Sequence, residues 1–159
     1  MDIRDTIFPL SFIGLGIALL CGFIVGLERQ LSGKPVGIRT CCLICLGTYT
    51  FVSVGQSLPG QSEDLARIIG QVITGIGFLG AGVILTREGV LIGITSAAVI
   101  WVLAGIGILV SMQRYSAAIL LSLFVVCILR GVGQLEKLFT TLRVGIYAKW
   151  TRHRKDTGA

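Results

Sequence analysis

Five stretches of about 20 predominantly apolar residues recur along this chain of 159, parted by short polar links. Nothing else constrains its folding so strongly. A helix needs about 20 such residues to cross a hydrocarbon core of about 30 Å. Inside that core every backbone N–H and C=O must find a partner in the protein, so runs of this kind become helices. The segments run from Phe8 to Leu27, Thr40 to Leu58, Ile68 to Leu85, Val90 to Met112 and Ser116 to Leu135. The third is the shortest and borrows a turn from Asp64–Arg67. Charged residues make up only 14% of the chain, against about 25% in a soluble domain. The expected fold is an all-α membrane protein, a bundle of about five transmembrane helices over residues 1–135, with no water-soluble catalytic domain.

The links set the topology. Thr86–Gly89 joins the third and fourth segments and Gln113–Tyr115 the fourth and fifth. Links this short make sequential helices antiparallel neighbours. The longest, Glu28–Arg39, carries Gly33, Pro35 and Gly37 as helix breakers. With the N-terminus outside, ten Lys and Arg fall on the inner side and three (Arg4, Arg67, Arg114) on the outer, while Arg130 lies within the fifth segment. That bias predicts N-out and C-in, which requires an odd number of helices. No internal repeat of the kind that builds many transporters is visible.

The termini carry their own expectations. The start, Met1–Asp5, is as acidic as it is basic, and no small-residue cleavage site follows, so the first run reads as a retained helix. Residues 136–159 form a basic tail in which Leu138, Phe139, Leu142, Ile146 and Trp150 recur at helical spacing. Two readings stand, an amphipathic helix on the inner leaflet and a continuation of the fifth helix into solvent. The net charge of +6 marks topology and an anionic leaflet rather than nucleic acid.

The third segment is the densest in signals. Gly70, Gly75, Gly77, Gly80 and Gly82 crowd one helix, and such a helix is expected at the centre of a bundle, where small residues admit neighbouring backbones. In the fourth, Gly89, Gly93, Ala97 and Gly105 fall on one ridge interrupted by Trp101, the expected partner surface. Gly22 and Gly26 offer a weaker contact on the first. Asp64, Arg67, Gln71 and Thr74 share one face of the third helix and are expected to point at protein or trapped water. They read either as the vestibule of a ligand site or as an internal strut with an Asp64–Arg67 ion pair.

Glu28, Arg29 and Arg39 bracket the first inner link. They read as a docking site for an anionic partner or headgroup, or as a topology anchor with Glu28 paired to an arginine. Cys41, Cys42 and Cys45 lie within about one turn and cannot close a tetrahedral metal site alone. They are expected to be small packing residues. No Ser–His or Cys–His pairing near the membrane supports nucleophilic catalysis, so neither cofactor nor enzymatic activity is expected.

The motifs Gly26-Leu-Glu28-Arg29-Gln30, Gly33-Lys34, Gly37-Ile-Arg39-Thr40 and Leu43-Ile-Cys45-Leu46-Gly47 resemble the opening of the MgtC/SapB family. The resemblance continues through Asp64-Leu-Ala-Arg67-Ile-Ile-Gly70-Gln71-Val-Ile-Thr74-Gly75-Ile-Gly77-Phe78-Leu79-Gly80-Ala81-Gly82 to Gly93-Ile-Thr95-Ser96-Ala97-Ala98 and Trp101, covering about residues 10–135. It implies a multi-pass protein of the bacterial inner membrane, from a family linked to growth in low magnesium, stress adaptation and survival inside host cells. It further implies regulation of other membrane proteins, such as the ATP synthase or a transporter, rather than transport itself. Some members carry an ACT-like domain after the helices, for which the 24 residues beyond Leu135 are too few. The expected function is thus a non-enzymatic regulator of magnesium or energy homeostasis. It contacts the lipid bilayer, other membrane proteins or a second copy of itself, and no nucleic acid. The alternative is a small transporter or channel for Mg²⁺ or another cation.

Overall fold

The computed structural model describes residues 8–58, 62–87 and 90–138. Among these residues five helices are long and apolar enough to cross a membrane. They are α1 (Phe12–Leu31), α2 (Ile38–Ser57), α3 (Ser62–Gly82), α4 (Ile94–Ser111) and α5 (Tyr115–Leu138). The chain divides into two compact units, residues 1–125 and 126–159. The second holds the last turns of α5, helical to Leu138, and most of the basic tail, residues 139–159, lies outside the described residues.

Local chemistry sets the helix ends. Ser11 caps α1, its hydroxyl accepting from Gly14 N–H at 3.0 Å, which satisfies one of the donors a helix start leaves free. Tyr49 of α2 reaches the same corner, its hydroxyl accepting from Ser11 N–H at 2.8 Å. Gly33 ends α1 in the left-handed region, at φ +64°, as a helix stop commonly requires. Gln113, at φ +57°, turns the chain tightly between α4 and α5.

The third link departs from expectation. Val90 does not begin the fourth helix. Leu85–Arg87 (β1) and Val90–Ile92 (β2) instead pair antiparallel, Leu85 opposite Ile92 and Arg87 opposite Val90. Helix α4 starts at Ile94 after Gly93, whose φ of +98° suits glycine alone. A Cβ there would also press on the Val83 carbonyl. Gly93 therefore caps α4 and also lies close against the backbone that leaves α3, and the apolar run before it, with Val90 and Ile92, has strand as well as helix propensity.

The core lies among α1, α2 and α4. Ala18, Cys21, Val25, Cys41, Cys45, Val52, Leu103, Ile106 and Val110 are completely buried. In hydrocarbon the gain comes from close van der Waals packing rather than from escape from water, so glycine decides where backbones touch. A Cβ on Gly22 would lie 2.6 Å from Cys42 Cα, and one on Gly26 2.5 Å from Ile38 Cα. One on Gly107 would lie 2.7 Å from the Cys45 carbonyl oxygen. The pair expected to be the weaker contact is the α1–α2 seam, and Gly107 makes the α2–α4 crossing.

Helix α3 is peripheral, contrary to the central place expected of it. Only 6% of its apolar window is buried, against 50% for α4. Nothing lies within 4 Å of a Cβ built on Gly70, Gly75, Gly77 or Gly82. Gly80 is the exception, 3.7 Å from Ala97 Cβ. Trp101 points outward, 57% exposed, and Gly105 meets open space, so the fourth helix offers α3 no continuous ridge. Between α2 and α3 the surfaces part into an apolar groove of about 770 Å³.

Candidate functional site

Two charged side chains lie inside the bundle. Glu28 is 4% and Arg29 3% exposed, both in the last turn and a half of α1. The tight α1–α2 seam at Gly22 and Gly26 brings this turn under the start of α2. Backbone bonds from Ser32 N–H to Glu28 O and from Lys34 N–H to Arg29 O, both at 3.0 Å, fold the link back over it. Val36 from that link is buried as well.

Each charge has one anchored and one unanchored atom. Glu28 Oε1 accepts from Ser32 Oγ at 2.7 Å, while Oε2 is buried without a protein partner. Arg29 Nη2 donates to Ser96 Oγ, while Nε is buried and unpartnered. Ser96 sits in the first turn of α4, placed there by the left-handed Gly93. The expected pairing of Glu28 with an arginine is absent: among the described residues the one ion pair is Asp64–Arg67. Nor do the two residues form a surface anchor. They are neighbouring opposite charges in a medium of low dielectric, where removing either one leaves the other uncompensated. Of the residues named with them, Arg39 and Thr40 are exposed at the start of α2.

The polar face of α3 is elsewhere and points away from its own bundle. Arg67 Nη2 meets Asp64 Oδ1 at 2.9 Å with the side chains 67% and 55% exposed. Thr74 Oγ1 donates back to Gly70 O at 2.9 Å. Gln71 lines the groove. The expectation that these groups face the protein interior therefore fails for Asp64, Arg67 and Thr74, all exposed, because α3 meets its neighbours through other faces.

The cysteines are explained by packing. Cys41 Sγ donates to Val36 O, Cys42 Sγ to Leu19 O and Cys45 Sγ to Leu103 O, at 3.8, 3.6 and 3.5 Å. Among the described residues no group of three potential metal ligands gathers. Sequence reasoning overlooked two contributors, Ser32, which anchors Glu28, and Tyr49, which ties α2 to the start of α1, and it named Ser96 within the family motif without giving it a role. Ser32 stands four residues after Glu28, a spacing that places it on the same helix face. For Ser96 the family motif was the only signal, since its partner is 67 residues away.

Comparison with known proteins adds the family. The family model described as "MgtC family" matches residues 15–138. Protein SapB of Bacillus subtilis is 38% identical over 125 residues, covering 74% of this chain and 54% of SapB. The putative magnesium transporter YhiD of Escherichia coli K12 is 41% identical over 125 residues, 74% of this chain and 58% of YhiD. Protein MgtC of Salmonella typhimurium LT2 is 36% identical over 128 residues, 80% of this chain and 54% of MgtC. The chain thus spans somewhat more than half the length of these relatives. No solved structure matches it. With five membrane-length helices and a family match across all of them, this multi-pass membrane protein belongs to the MgtC family.

Proposed function

We propose that the chain is a non-enzymatic protein of the bacterial inner membrane, N-out and C-in, that adjusts magnesium or energy homeostasis by contacting other membrane proteins. The observation that carries this reading is the outward face of α3. Asp64, Arg67 and Thr74 are exposed, and a Cβ on Gly70 or Gly77 would meet nothing within 4 Å. Polar groups at membrane depth normally face protein, and small residues normally admit another helix. A helix that turns both outward suits a partner from outside the chain.

A second reading is favoured by one observation. Glu28 is a buried carboxylate, and one of its oxygens has no protein partner. A cation pathway needs such an oxygen ligand, and the relative from Escherichia coli carries the name of a putative magnesium transporter. Against it, Mg²⁺ prefers several oxygen ligands and keeps its waters, whereas the neighbour here is a buried guanidinium. Photo-crosslinking from position 78 on α3 in cells, paired with Mg²⁺ flux into proteoliposomes of pure protein, separates the two. The regulatory reading expects capture of a second membrane protein and no selective flux. Flux that is lost in Glu28→Gln, with no partner captured, overturns it in favour of transport.

A further inference from the structure

The groove between α2 and α3 lies apart from the buried charges and from the outward face of α3. It runs along α2 from Thr40 to Leu58, about 27 Å at 1.5 Å per residue, nearly the depth of the hydrocarbon core. Its walls are apolar except for Thr40, Thr48 and Gln71. Two of its lining residues, Gly47 and Gly75, face open space, so the hollow is made by missing side chains on both helices.

The ends of the groove differ in charge. At the Leu58 end α3 carries Asp64 and Arg67, which neutralise each other at 2.9 Å. At the Thr40 end stands Arg39, the residue before Thr40 in α2. It is exposed and makes no ion pair among the described residues. A membrane-length apolar channel with an uncompensated cation at one mouth is complementary to one kind of molecule, an amphiphile with a long hydrocarbon chain and an anionic head.

We infer that this groove is a binding site for an anionic phospholipid, its acyl chain lying between α2 and α3 and its phosphate at Arg39. Hydrocarbon contact alone would accept any lipid, so selectivity comes from the charged mouth. One cation near a headgroup shifts the binding of a singly charged lipid by about fivefold. The inference is independent of the regulatory reading, because it is tested on pure protein without a partner.

Full-length protein is offered equal amounts of phosphatidylglycerol and phosphatidylcholine with identical acyl chains in mixed micelles. Native mass spectrometry then counts the lipids retained. Wild type is expected to retain phosphatidylglycerol over phosphatidylcholine by about fivefold. Arg39→Gln should bring that ratio close to one. Gly47→Leu, entering open space from α2, should displace both lipids while leaving thermal unfolding unchanged, and Gly75→Leu should do the same from α3. Equal retention by wild type overturns the inference. So does a ratio that survives Arg39→Gln, retention that survives both leucines, or a second protein copy held in place of lipid.

Discussion

Helices α1 and α3 both carry glycines and charged residues, and the fold uses them in opposite ways. On α1 each glycine of the seam is pressed against another backbone, and the two charges beside it are sealed inside. On α3 four of five glycines meet nothing and the charges are at the surface. The difference lies in what flanks the glycines. Around Gly22 and Gly26 stand Ala18, Cys21 and Val25, all fully buried, small or branched residues that interlock at close range. Around Gly77 stand Phe78, 81% exposed, and Leu79, 52% exposed, and the helix meets its neighbours through Gly80 and Ile68 instead. A glycine count measures the capacity for close approach, and the surrounding side chains decide whether approach occurs.

The contrast is most directly broken on α1. Gly22→Leu places side-chain atoms where the Cys42 backbone lies, and backbone has nowhere to yield. Overpacking of this kind costs about 1–3 kcal/mol and more when main chain must move. The variant should give little monodisperse protein in detergent and a markedly lowered unfolding midpoint. Normal yield and stability would remove the seam from the core. The corresponding substitution on α3, Gly77→Leu, should leave stability within about 0.5 kcal/mol, as surface changes usually do.

The buried charges sharpen the comparison at the next level. Arg29→Met leaves Glu28 without a neighbouring positive charge inside the bundle and should lower the unfolding midpoint, by less than the about 3–5 kcal/mol that breaking a direct buried pair costs. Adding Glu28→Gln should recover much of that loss, since an uncharged pair carries no uncompensated charge. A double-mutant cycle followed by thermal unfolding measures the coupling. Strictly additive losses would mean that the two residues act apart.

The smallest effect belongs to the exposed pair on α3. Asp64→Asn should change stability by less than about 0.5 kcal/mol, the range of solvent-facing ion pairs. If unfolding shifts by several times that amount, α3 is held by its charges and its peripheral place is in doubt.

Sequence patterns carried the number of helices and the approximate position of each, because hydropathy over 20 residues reports the solvent a segment requires. They carried less of the packing. Gly70 through Gly82 look on paper more like a central helix than Gly22 and Gly26 do, and nothing local says which glycine will face a neighbour. The hairpin at Leu85–Ile92 was hidden because Val90, Leu91 and Ile92 extend the apolar run of α4 without a break. Gly93, the one residue that ends the strand and starts the helix, looked like one more member of a ridge. For the candidate site, Glu28 and Arg29 stood out by charge alone. Arg29 is anchored by Ser96 of α4, a relation between distant segments that no window of the sequence contains.

That relation also bears on how the protein is made. Arg29 cannot reach its acceptor until Ser96, 67 residues later, has left the ribosome. At about 5–20 residues per second this is an interval of several seconds. Through that time Arg29 lacks the hydroxyl that anchors it in the finished fold. The end of α1 therefore reaches its final arrangement only once α4 has arrived, so the order of synthesis leaves the first helix waiting on the fourth.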